Sequence, residues 1–126
     1  MGFADRFNTT KMRYNYSYPE EATYVGLGEL YQSEKKHGTV YRVLAVYINT
    51  KGRYGDQGCL AIDGSTIVNL PQHLLEDCRT IREDPEATEK INAGEFGFRI
   101  ETYQRAGEKN KHYTVRWVDI APDTPF

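Results

Sequence analysis

Two short stretches of the chain concentrate side chains suited to holding a polyanion. They are "SEKKHG" at 33–38, with Lys35, Lys36 and His37, and "RAGEKNKH" at 105–112, with Arg105, Lys109, Lys111 and His112. Residues 35–53 carry five cations, adding Arg42, Lys51 and Arg53, and no acid. Residues 99–117 carry five cations against Glu101 and Glu108. Seven acids against three bases in 76–95 hide this segregation inside a formal net charge of −2. Aromatic side chains sit among the cations: Tyr41 and Tyr47 in the run 39–49, and Tyr54 beside Lys51 and Arg53 in "NTKGRYGDQ". Cations that track phosphates next to aromatic faces on which bases stack are the chemistry of single-stranded nucleic-acid binding, each stack contributing roughly 1–3 kcal/mol. Each piece also has an ordinary structural role, since tyrosine is favoured in strands by packing alone and basic turns are often only solvated.

Catalytic chemistry has little support. There is no G-x-S-x-G, no phosphate-cradling glycine loop, no H-E-x-x-H and no Cys/His pair at a ligand or nucleophile spacing. His37, His73 and His112 stand singly, so neither a metal nor another cofactor is expected. Glu76-Asp77 and Glu83-Asp84 read as the solvated face of a helix, and Asp56 with Asp63 is too small a set of acids for a nuclease. Cys59 and Cys78 are expected as buried thiols rather than a disulfide.

The elements that must position these residues follow from periodicity. A first strand is expected within 22–32, weakened by Gly26 and Gly28. The β-branched and aromatic run 39–49 is the strongest strand, and 58–63 is a third, followed by Asp63-Gly64 and a run at 66–70 that either continues it or folds back. Leu74, Leu75, Cys78 and Ile81 repeat at helical spacing after Pro71. Asp84-Pro85 and Gly94 delimit a second helix. Strands at 95–104 and 112–120 close the domain, with Phe96, Phe98 and Trp117 as core residues.

The order β-β-β-α-β-β is that of a mostly β domain with a helix, an OB-fold-like five-stranded barrel, although another α+β topology could share it. In that plan both basic loops fall at the binding groove. Residues 21–120 would form the domain, 1–20 an N-terminal arm and 121–126 a tail. The arm alternates Tyr14, Tyr16 and Tyr18 with polar residues behind Lys11 and Arg13, as an edge strand, a nucleic-acid-binding arm or a contact to a neighbouring subunit of a homo-oligomer. The chain has no apolar run of membrane-spanning length, and its first residues lack the apolar core of a signal peptide, so a cytoplasmic location is expected.

With strand order and basic loops in place, residues 20–120 resemble the OB-fold single-stranded DNA-binding proteins, of the small divergent type found on phages and conjugative elements. The resemblance is one of architecture, without a diagnostic motif. It implies a non-enzymatic, sequence-tolerant protein whose partner is single-stranded DNA, with RNA as a second polymer that the same chemistry accepts. Bacterial members typically end in acids followed by Pro-Phe, a tip that recruits replication and repair enzymes. "PDTPF" looks like a reduced version, with Phe126 as the partner-binding residue, although only Asp119 and Asp123 supply negative charge and no long linker precedes it. The rival expectation is a protein-interaction module, such as a phage-encoded inhibitor or assembly factor, whose tyrosines serve a protein interface.

Overall fold

A computed structural model describes residues 14–50 and 55–121; Lys51, Arg53, Tyr54 and Phe126 lie outside the described residues. The first expected strand divides at its glycines: Thr23–Gly26 is β1 and Leu27–Ser33 is helix α1. Leu27, Leu30 and Tyr31 stand at i, i+3 and i+4, so a helix turns all three toward the core. A strand would have sent Leu30 to the face opposite Leu27 and Tyr31. Burial of that trio therefore outweighs the strand-like composition of 22–32.

The run 39–49 also divides, into β2 (Tyr41–Arg42) and β3 (Ala45–Asn49). The third expected strand is β4 (Gln57–Ala61), and 66–70 folds back on it as β5 (Thr66–Asn69). Asp63 closes the intervening turn: its Oδ1 accepts from the amides of Ser65 at 2.9 Å and Thr66 at 2.7 Å. Those amides, Ser65 first, hold its carboxyl below the usual carboxylate range. A 3-10 turn at Gln72–Leu74 leads into α2 (Leu75–Glu83) and α3 (Pro85–Ala93). Asp84 caps α3 by accepting from the Glu86 amide at 2.9 Å, and Gly94 ends it at a φ of 75°, as the Asp-Pro and Gly signals predict. The hairpin β6 (Phe96–Tyr103) and β7 (His112–Asp119) follows.

Two sheets result, one ordered β1-β5-β4-β3 and the other β2-β6-β7. Only the β1–β5 pair is parallel. The segment 41–49 belongs to both sheets. The Val43 amide donates to Phe96 O at 2.9 Å and the Leu44 amide to Ala61 O at 2.8 Å, so adjacent residues bond to different sheets. The fold is thus mostly β with helices, as expected, but among the described residues the sheets stay open where a closed five-stranded barrel was expected. The element order is also longer, β-α-β-β-β-β-α-α-β-β. The added elements arise because 22–32 and 39–49 each break in two, and because 66–70 reverses instead of extending β4.

The core joins both sheets to α2: Val43, Val46, Leu60, Val68, Cys78 and Phe98 are sealed from solvent. Cys59 and Cys78 are free and buried, and burial pushes the Cys78 thiol up to about 12. Among the described residues no helix is long and apolar enough to cross a membrane. Helix α2 approaches β4 at Gly58, where an added Cβ would stand 2.5 Å from Cys78 Sγ and 3.1 Å from its Cβ. Gly58→Ala is therefore expected to lower the unfolding free energy by about 1–3 kcal/mol in a denaturant titration. Adding Cys78→Ala should recover part of that loss relative to the Cys78→Ala single variant, because the sulfur that the new methyl meets is gone. Equal stability of Gly58→Ala and the parent would contradict the close helix–sheet contact.

Candidate nucleic-acid interface

The hairpin of β6 and β7 positions the second basic loop. Tyr103 and His112 face each other at its loop end, their rings stacked with centroids 5.2 Å apart. His73, from the turn before α2, stands edge-on to Tyr103 at 6.2 Å, and its Nε2 lies 2.9 Å from Thr114 Oγ1. The loop's own acid, Glu108, is engaged within the loop. Its carboxylate is bonded to the His112 ring, and its backbone carbonyl accepts from Gln104 Nε2 at 2.6 Å. Arg105 and Lys111 are left to line a groove of about 510 Å³ whose walls include His73, Tyr103, His112 and Tyr113.

Charge pairing separates these cations from Arg79, Lys90 and Arg116. Arg79 is bonded to Asp56 and Glu76, each at 2.8 Å; Lys90 lies 3.7 Å from Glu95 and Arg116 3.8 Å from Glu101. Among the described residues Lys35, Lys36, Arg105, Lys109 and Lys111 have no carboxylate within ion-pair distance. Lys35, Lys36 and Lys109 are exposed and do not line the groove. The turn that carries Lys35 and Lys36 is nevertheless tied toward it. The His37 ring lies flat on Tyr31 at 3.9 Å, and Tyr31 meets Tyr113, next to His112, at 5.5 Å.

The two strand tyrosines are used differently. Tyr41 faces inward: its ring stacks on Phe98 at 5.3 Å, and its hydroxyl donates at 2.7 Å to Glu34, whose side chain is 1% exposed. Burial, followed by that bond to Glu34, raises the Tyr41 hydroxyl above the ordinary tyrosine range. Its ring is committed to internal packing and is not brought to the groove. Tyr47 lines a second cavity, of about 630 Å³, on the face of the four-stranded sheet. Its ring meets Tyr14 at 6.2 Å and Tyr18 at 5.2 Å, both edge-on. The described part of the arm therefore packs on its own chain, with Tyr14 buried and the Asn15 amide donating to Asn92 Oδ1 at 2.9 Å.

Sequence reasoning passed over His73, Tyr103, Tyr113, Gln57 and Asn69. Tyr103 and His112 carried a readable signal, since they flank the basic loop symmetrically and must face each other once 95–104 and 112–120 pair. Gln57 and Asn69 line both cavities but lie on strands whose pairing no local pattern announces. Among the described residues no group of three His, Cys, Asp or Glu side chains is placed to hold a metal ion. No protein-family model, curated protein or solved structure matches the chain.

Proposed function

We propose that this protein binds single-stranded DNA without catalysis and with little sequence preference. The observation that carries the reading is the groove that Arg105 and Lys111, without carboxylate partners among the described residues, line together with Tyr103, His112 and Tyr113. Cations placed to follow a backbone and rings placed to receive bases are what a sequence-tolerant single-strand binder requires. Lys35, Lys36 and Lys109 are further exposed cations outside the groove, and Lys51, Arg53 and Tyr54 follow Tyr47 in sequence.

The pairing order is compatible with an OB-like plan for the strands around the groove, displaced by one strand from the plan read in the sequence. If the segment 41–49 is taken as the first barrel strand, it pairs with β4 along one half and with β6 along the other. Then β4 and β5 complete a meander, the helices follow, and β6 and β7 form the last hairpin. In place of a closing β5–β7 pair, β1 occupies the free edge of β5, and α1 packs against both β5 and β7.

A titration of labelled oligo-dT, oligo-U and duplex DNA at two salt concentrations tests the proposal. Oligo-dT should bind and should weaken steeply with salt as condensed cations compete for the phosphates. Duplex should bind less well, because stacked bases cannot reach the rings. Absence of oligo-dT binding at low salt would overturn the reading in favour of a tyrosine-rich protein interface, and tighter binding of oligo-U would move it to RNA.

A further inference from the structure

The second cavity has a chemistry of its own. Every described residue that lines it is uncharged, in contrast to the groove holding Arg105 and Lys111. Strand register explains how it forms. Tyr47 pairs with Cys59 and Cys59 with Asn69, so these three side chains share one face in a single row. Asn69 pairs in turn with Gly26, which adds no side chain and leaves room beside it. Tyr24, two residues before Gly26, projects on the same face.

Two features point to a flat, neutral, hydrogen-bonding occupant. First, Tyr18 and Tyr24 are the large hydrophobic side chains that remain exposed among the described residues, at 49% and 53%, and both line this cavity. Their hydroxyls bond to each other, which ties the Tyr24 ring to Tyr18, itself edge-on to Tyr47, at the mouth of the cavity. Second, the polar groups beneath are half used. Asn69 Oδ1 accepts from the Cys59 thiol at 3.3 Å, leaving its amide nitrogen as a donor. Gln57 Nε2 donates to Leu70 O at 3.2 Å, leaving its oxygen as an acceptor. A phosphate would find no cation among the described lining residues, and a metal ion no carboxylate. A nucleobase has two aromatic faces and an edge on which donor and acceptor stand side by side.

We infer that this cavity holds one unstacked base of a strand whose phosphates pass Arg105 and Lys111, with Tyr18, Tyr24 and Tyr47 as walls and Asn69 and Gln57 reading its edge. The inference rests on the single-strand reading above. It identifies a base site on the face of the four-stranded sheet, separate from the rings of the hairpin groove.

The test compares oligo-dT with an abasic oligomer of the same length, bound to the full chain at low salt. The parent should bind oligo-dT at least tenfold more tightly than the abasic strand. Tyr24→Leu, at an exposed position where folding is not at stake, should weaken oligo-dT fivefold or more and leave abasic binding as it was. Lys111→Ala should weaken both oligomers alike. In amide-resolved NMR the side-chain NH2 signal of Asn69 should shift with oligo-dT and stay in place with the abasic strand. If Tyr24→Leu has no effect, or weakens both oligomers equally, the base site is wrong while the single-strand reading stands. If neither oligomer binds, the single-strand reading falls and the base site falls with it.

Discussion

Replacing Arg105, Lys109 and Lys111 together by Ala should weaken oligo-dT binding by about two orders of magnitude near 0.1 M salt. On single strands each neutralised phosphate contributes about 0.7 to the slope of log affinity against log salt, so one contact is worth roughly fivefold at that concentration. Three contacts multiply to about a hundredfold, and the slope itself should fall by about 2. The folded state should be unaffected, since all three side chains are exposed and none has a carboxylate partner among the described residues. Fluorescence anisotropy at several salt concentrations measures both quantities at once. A loss of affinity with an unchanged slope would mean that the loop acts through its shape, and an unchanged affinity would remove it from the interface.

The largest effect on stability is expected at Phe98. It is fully buried, opposite Tyr41 on one neighbouring strand and Trp117 on the other, with ring centroids at 5.3 and 6.3 Å. Truncation to Ala removes the ring and leaves a cavity between strands that both depend on it, at a cost of about 3–5 kcal/mol. That is a large share of the 5–15 kcal/mol typical of a domain, and the melting temperature should fall by roughly 10–20 °C. Phe98→Leu, which keeps most of the volume, should lose far less. A fall of only a degree or two for Phe98→Ala would contradict its position at the junction of three strands.

What could be read from the sequence was whatever is encoded locally. The hairpin of 95–104 and 112–120 was legible because Phe96, Phe98 and Ile100 alternate with polar residues. The limits of α3 were legible because Asp84, Pro85 and Gly94 each carry a backbone preference of their own. The break at Gly26 was not, because Leu27, Leu30 and Tyr31 become a helical face only when a core exists to receive them. The crossing within 41–49 was equally hidden: both faces of the segment are apolar, with Val43, Ala45 and Val46 all buried, so periodicity could not mark the change of sheet. The same division holds for the site. Arg105 and Lys111 were recognisable as cations in a turn, whereas His73, Gln57 and Asn69 reach the groove from the start of the helical region and from two strands, a convergence set by tertiary packing. Tyr41 shows the converse: its composition suited base stacking, and the neighbouring Phe98 and Glu34 claim both its ring and its hydroxyl.

One backbone crossing also decides how the molecule can move. Because Val43 is bonded to β6 and Leu44 to β4, neither sheet can release its inner pairing without pulling on the next residue of the other. Melting should therefore be cooperative across both sheets, and these two amides should be among the slowest to exchange with deuterated solvent. The joint lies at the Phe96 end of the hairpin, whereas the loop carrying Arg105 and Lys111 lies at the opposite end. Exchange should therefore be slowest at the crossing and faster toward the exposed loop, at opposite ends of the same two strands.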